Sequence, residues 1–282
     1  MRNLLRDYLT DSHDLQRIAI AIAKGHASRS ARRLDPRRPP TWEFSGFSQN
    51  GEDGILDVLL ASLRAPTRDC LEIGAADGVQ NNTTWLALTQ LYRCVMVEGN
   101  PALSAKARRL LGASAIAASF ENRFVTRDNA AELIALVGNA SPDLLSLDID
   151  GIDWHVAQAL LRAGLRPKVV AVEYNSTFGP ERSVTIPYAA DFDYGRAHAT
   201  RLYYGASLRA WRSLFEPQGY RFVTVDRNGV NAFFADPAAL EDGFLDAVQP
   251  HAWAENVYQV RTSGARGEAQ FALIRDMELL EV

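Results

Sequence analysis

Four apolar runs in this chain end in or close to acids. DLLSLDIDGIDW, residues 143 to 154, reaches Asp148 and Asp150, with Asp153 just beyond. KVVAVEYN closes on Glu173 and Asn175, RCVMVEGN on Glu98 and Asn100, and DCLEIG carries Glu72 just before Gly74. Runs this apolar read as buried strands. A buried carboxylate is costly unless it is hydrogen-bonded, paired or bound to a metal. Residues two apart on a strand share a face, so Asp148 stands with Asp150 and Glu173 with Asn175. Acids brought together from two neighbouring strand ends therefore raise the question of a bound metal ion. Without a cation, the three carboxylates repel one another, at least one ionises late, and that one can serve as general base. Asp148, Asp150 and Glu173 are the catalytic candidates in both cases. The plain structural alternative is that these acids cap the following helix, a role that suits Asp153 best.

The elements that must position these residues alternate along the chain. Strand-like runs at 69–74, 93–100, 113–119, 143–150 and 168–175 are separated by helix-like segments at 53–63, 82–91, 101–111, around 129–137, and 154–163. Such alternation predicts an α/β fold: a Rossmann-like, doubly wound, mainly parallel sheet of seven strands, its helices on both faces. After a helix at 206–216, YRFVTVDRNGVNAFFAD places two β-rich runs around Asn228-Gly229, which predicts a terminal antiparallel hairpin. Apolar spacing over residues 2–24 predicts an N-terminal helix, and SRSARRLDPRRPP reads as a basic linker. The expected division is therefore 1–41, helix and linker, and 42–282, the main domain.

Ligands of such sheets sit outside the carboxyl ends of the strands. There the first strand runs into Glu72, Gly74, Ala75, Asp77 and Gly78. The spacing is G-x-x-x-G, not G-x-G-x-x-G, so a pyrophosphate is not the expected guest. Asn81 or Asn82 can cap the next helix. Glu98, ending the second strand, can accept hydrogen bonds from both hydroxyls of a ribose.

This turn followed by an acid resembles class I S-adenosylmethionine-dependent methyltransferases. The wider pattern is similar to the FkbM family: FSQNGEDGIL, LEIGAADGVQNNT, LLSLDIDGIDW, VVAVEYNSTFGP, YYGASLRAW and GYRFVTVDRNGVNAFF, in that order over residues 45–236. The resemblance implies transfer of a methyl group to a hydroxyl of a sugar or other small natural product. It implies a cofactor set of Gln49, Glu72, Gly74, Ala75, Asp77, Gly78, Asn82, Glu98, Asn100 and Asp148. Of these, Gly74 and its neighbours would face the amino-acid part and Glu98 the ribose. Gln49, Asn50, Glu52 and Asp53 would lie over the cofactor, unless Asn50 and the acids serve only a helix N-terminus. Catechol-type O-methyltransferases have a similar arrangement, an acid after the fourth strand, then an acid and an asparagine after the fifth, which hold magnesium; the resemblance implies a divalent cation on Asp148, Asp150, Glu173 and Asn175 that would orient a hydroxyl and lower its pKa.

Residues 176–204 are long for a connection inside a compact domain and rich in aromatics. They are expected to bind the acceptor, through Arg182, Tyr188, Tyr203 and Tyr204. His198 among them is a candidate base, against the plain reading of an exposed loop histidine. His155 is more simply a helix residue.

Composition bounds the rest. The 282 residues are 47% hydrophobic with a formal net charge of −4. Residues 1–40 carry nine Lys or Arg and four Asp, hence +5, which leaves −9 for the remainder. The acidic body argues against a nucleic-acid partner. The basic arm is either a solvated surface or a contact with a membrane surface, an acidic partner or a second subunit, a homodimer included. No apolar run is long enough for a bilayer span or a signal core, and the two cysteines read as buried thiols, so a cytoplasmic location is expected. A different class of function, a noncatalytic scaffold of the same fold, is disfavoured by the acid cluster. N-methylation is disfavoured because Asp-Ile-Asp-Gly is not an amine-accepting aromatic motif.

Overall fold

The computed structural model describes residues 2–112 and 116–282, with side chains from residue 12 onward. Seven strands form one sheet: β1 (Asp69–Ile73), β2 (Arg93–Glu98), β3 (Ala118–Asn122), β4 (Leu144–Leu147), β5 (Val169–Glu173), β6 (Arg221–Val225) and β7 (Asn231–Ala235). Their order is β3-β2-β1-β4-β5-β7-β6. The first five are parallel, β7 runs antiparallel to β5, and β6 to β7. This is the expected doubly wound sheet with its hairpin. A separate two-stranded sheet joins Val184–Thr185 to Leu280–Glu281.

Side chains alternate between two apolar cores. Leu71, Ile73, Val95, Val97, Leu145 and Leu147 face one. Cys70, Cys94, Met96 and Leu144 face the other. Helices α5 (Glu132–Val137), α6 (Asp153–Arg162) and α7 (Leu208–Phe215) cover the first core. The second is covered by α1 (Arg2–Ala31), α2 (Glu52–Ala61), α3 (Thr84–Thr89) and α4 (Pro101–Gly112). Burial on both faces explains the continuous apolar runs. Cys70 and Cys94 are buried free thiols.

Some boundaries move. The N-terminal helix continues to Ala31, through the first residues assigned to the linker. Ser28 lies within it, its hydroxyl bonded back to the Lys24 carbonyl at 2.5 Å. The third strand lies later than ASAIAAS: residues 113–115 fall outside the described residues, and pairing with β2 runs from Ala118 to Asn122. Among the described residues, no helix is long and apolar enough to cross a membrane.

Candidate active site

At the carboxyl ends of β1, β2, β4 and β5 lies a cleft of about 790 Å³. Its walls include six acids: Glu52, Glu72, Glu98, Asp148, Asp150 and Glu173.

One geometric requirement brings the strand ends together. Gly74 has φ +93°, and a Cβ there would lie 1.6 Å from the Asp148 carbonyl oxygen. Only glycine allows this approach. Asp148 N–H then donates to the Ile73 carbonyl at 3.0 Å. The Asp-Ile-Asp-Gly turn is held from behind by Asp153, whose oxygens accept from Ile149 N–H at 2.7 Å and Gly151 N–H at 2.8 Å. Asp153 thus serves the turn that carries the other two acids, as the first residue of α6 and not as its cap. Asp150 sits in the left-handed region at φ +53°, a strained setting for a non-glycine residue.

Carboxylate oxygens of Asp148, Asp150 and Glu173 all lie within 4.8 Å of one another. Burial, then repulsion from Asp150 and Asp153, pushes Asp148 well above the usual carboxylate range. Burial, then Asp148 and Asp150, does the same to Glu173. Asp150 keeps solvent access, yet burial of its carboxylate and the nearby Asp153 raise it to about 6. Such a cluster wants a cation or a proton.

Glu173 is also held from its other side, and the hydrogen-bond direction can be read off. The Asn175 nitrogen donates to two carbonyls, of Leu202 at 2.8 Å and Tyr204 at 2.9 Å. Its oxygen therefore accepts, from Thr177 N–H at 3.0 Å and Gln259 Nε2 at 3.1 Å. Gln259 Nε2 also donates to the Tyr204 hydroxyl at 2.9 Å, which leaves the single tyrosine proton for Glu173 Oε1 at 3.0 Å. Asn175 is thereby removed from the expected ligand set. It is buried, caps a short 3-10 turn, and spends its amide on this scaffold.

The β1–β2 end is built differently. Glu98 accepts from Ala76 N–H at 2.9 Å and Asn100 N–H at 2.6 Å, one on each oxygen. Glu72, buried, accepts from Asn82 N–H at 2.7 Å and from the Thr83 hydroxyl. Its burial outweighs those donors and raises it to about 7. Asn82 donates its amide to Ser146 Oγ at 3.0 Å, while Asn81 accepts from Thr84 N–H at 3.2 Å and so serves the start of α3. Gln49 lines the cleft, near Gln80. Glu52 accepts from Asn50 Nδ2 at 2.9 Å and Asn231 Nδ2 at 2.8 Å. Asp53 does not face the cleft: it accepts from the backbone N–H groups of Gly46, Phe47 and Ser48 and folds that loop onto α2.

Several expected residues lie elsewhere. Asp77 faces away from the cleft and pairs with Arg17 at 2.8 Å and Lys106 at 2.9 Å. Ala75 and Gly78 shape the turn without lining the cleft; Gly78 needs its φ of +75° where the loop crosses Leu111 and Ala107. Arg182, near the start of the insertion, pairs with Glu268 and stacks over Phe271, away from the cleft lining. Tyr188 belongs to a separate hollow with His155, its hydroxyl on Asp128 and its ring under Arg127. Tyr203 donates to the Glu278 carbonyl, and His198 meets Thr200 at 2.8 Å; neither lines the cleft. These side chains found other partners, Asp77 and Tyr188 sixty positions back in the chain and Arg182 and Tyr203 in the C-terminal segment, which spacing alone did not reveal. From the insertion, Phe192, Tyr194, Arg201 and Tyr204 do line it. Asn256, Tyr258, Gln259 and Thr262 close it from the C-terminal segment, beyond any motif read in the sequence.

No family model matches the chain, and no curated protein matches it, so the FkbM resemblance rests on the quoted motifs. Among solved structures, the chain is similar to the O-methyltransferase TomG from Streptomyces achromogenes in complex with SAM, at 18% identity over 76% of this chain and 87% of that one, TM-score 0.43. It is similar to an O-methyltransferase from Bacillus cereus in complex with SAH, at 15% identity over 78% and 89%, TM-score 0.42. It is also similar to the CurJ carbon methyltransferase, at 12% identity over 85% and 70%, TM-score 0.41. Likenesses this distant carry no chemistry from those proteins to this chain.

Proposed function

We propose that the chain is an S-adenosylmethionine-dependent methyltransferase, related to the FkbM family, that acts on a hydroxyl of a sugar or other small natural product. The observation that carries this reading is the position of Glu98. Its two oxygens are fixed by backbone N–H groups at the end of β2, on one wall of a cleft whose floor is the Asp148–Asp150–Glu173 cluster. Each Glu98 oxygen keeps a lone pair for a ribose hydroxyl. The cleft has the size of a small-molecule site. When bound, S-adenosylmethionine supplies a methyl group already activated on its sulfonium, so the protein needs no nucleophile of its own.

The chain's own residues would then do two things. Glu72, Gly74, Glu98 and Asn100 hold and orient the nucleoside side. Asp148, Asp150 and Glu173 attract the acceptor hydroxyl and take its proton. The same three would hold a divalent cation. Their hard oxygens and close spacing fit one, and it would lower the pKa of a hydroxyl beside it. His198, set apart from the cleft, has no part in this proposal.

The test is calorimetric binding of S-adenosylhomocysteine to the whole chain with magnesium, manganese or chelator present. Micromolar binding supports the reading and justifies a screen of hydroxylated acceptors with radiolabelled cofactor. Absence of binding in every condition removes it. A separate ion-binding heat that disappears in Asp148→Asn supports the cation; no ion heat leaves the carboxylates as the base.

A further inference from the structure

The amino-terminal helix reaches the back of the nucleoside-binding segments through a compact set of charges. Asp14 on α1 is buried and lies 3.2 Å from Lys106 and 3.4 Å from Arg109, both on α4. Arg17, one turn along α1, lies 3.5 Å from Asp14 and 2.8 Å from Asp77. Lys106 bridges the two acids, at 2.9 Å from Asp77. Asp77 itself turns the loop by accepting Val79 N–H at 3.1 Å. Burial opposes its ionisation, but the hydrogen bonds from Arg17 and Lys106 win and hold it below its usual value.

Both segments joined by these contacts carry cleft residues. The loop around Asp77 presents Gly74, Ala76, Gln80, Asn81 and Asn82. Helix α4 starts directly after Glu98, Gly99 and Asn100 and presents Leu103. The Ala76 N–H that fixes Glu98 belongs to a non-glycine residue at φ +48°, one residue before Asp77. An unfavourable backbone conformation persists only where its surroundings enforce it. The ion pairs from α1 supply that enforcement from outside the cleft.

We infer that α1 is a brace for cofactor binding, and that Arg17 is a positioning residue which holds the Asp77 loop against Glu98 without touching the ligand. This rests on the methyltransferase reading above and adds to it a role for the basic arm. The helix also has anchors that do not touch this loop. Arg29 pairs with Asp57 at 3.1 Å, and removal of Arg29 leaves Asp57 with Arg32, as removal of Arg17 leaves Asp77 with Lys106. Arg29→Ala is therefore a matched control.

The experiment measures S-adenosylhomocysteine affinity by calorimetry, and melting temperature, for the full chain and for Arg17→Ala, Arg17→Lys and Arg29→Ala. The expected result is that Arg17→Ala weakens binding about fivefold. Arg17→Lys restores most of the loss, and Arg29→Ala binds as the parent does even where both alanine variants melt earlier. Unchanged affinity in Arg17→Ala overturns the brace, and so does an equal loss in Arg29→Ala, which would mark general loosening. If the parent chain does not bind, the methyltransferase reading falls and this inference falls with it; if the parent binds and Arg17→Ala binds equally, only this inference falls.

Discussion

The two ends of the cleft treat their carboxylates in opposite ways. At the β1–β2 end, Glu72 and Glu98 each meet backbone N–H groups, and Glu98 has one on each oxygen. At the β4–β5 end, the acids meet one another. Among the described residues, Asp148 and Asp150 receive no backbone N–H, and Glu173 receives only the Tyr204 hydroxyl. The first end, the proposed nucleoside receptor, has its donors already placed. The second is electrostatically incomplete, and positive charge or a proton completes it. Binding and chemistry should therefore separate along the cleft, and substitutions should break one while sparing the other.

The largest effect is expected at the incomplete end. Asp148→Asn removes one negative oxygen from the cluster and should lower turnover of an accepted hydroxyl substrate about a thousandfold. Affinity for S-adenosylhomocysteine should stay near the parent value. Single-turnover transfer from radiolabelled cofactor and calorimetry read the two quantities separately. Parallel loss of both would mean that the two ends are one site.

The receptor end stores its cost in stability. Glu72 is raised from 4.5 to about 7 by burial. Its folded form holds a proton that the unfolded chain releases near pH 4.5, so its contribution is present below that pH and is lost as pH rises to about 7. The shift corresponds to about 3 kcal/mol. Urea unfolding at pH 5 and pH 8 should show the parent losing more stability on going to pH 8 than Glu72→Gln does. Equal pH dependence in the two proteins would show that Glu72 ionises normally.

Glu98 tests the same end through the ligand. Glu98→Ala removes two charged acceptors from a proposed ribose, at about 2 kcal/mol together, or roughly thirtyfold in S-adenosylhomocysteine affinity. Its Ala76 and Asn100 donors can turn to solvent, so the fold should survive, and circular dichroism checks that. A loss below threefold would place the nucleoside elsewhere.

Much of this contrast was legible in the chain, and the illegible part has a physical cause. Strand ends were readable because a buried apolar run that stops at an acid reports both topology and chemistry: Glu72, Glu98, Asp148, Asp150 and Glu173 all reached the cleft. Gly74 was legible as the glycine that follows β1, but not the close approach of the Asp148 carbonyl that requires it. Side chains without a strand to aim them were not. Asp77 looked like a cofactor ligand until α1 supplied Arg17, sixty positions away. Tyr203 and Arg182 looked like acceptor contacts until residues 268 and 278 claimed them. Gln259 could not be found at all, since its role depends on a fold-back of the C-terminal segment onto Asn175 and Tyr204. Long-range polar pairing leaves no local period in a sequence.

The smallest effect sharpens the comparison most. Tyr204 donates to Glu173, and its proton direction is imposed by Gln259 and, behind it, by Asn175. Tyr204→Phe keeps the ring and removes that donor. Gln259 loses an acceptor in a buried setting, which should cost about 1 kcal/mol of stability. Glu173 keeps its place beside Asp148 but loses its fixed acceptor geometry, so turnover should fall about tenfold and not a thousandfold. Nucleoside affinity should not change, because Tyr204 donates to neither Glu72 nor Glu98. Guanidine unfolding, single-turnover rates and calorimetry on this one variant read all three. If affinity falls while turnover holds, the Asn175–Gln259–Tyr204 chain serves the receptor end, and the division of labour between the two ends is wrong.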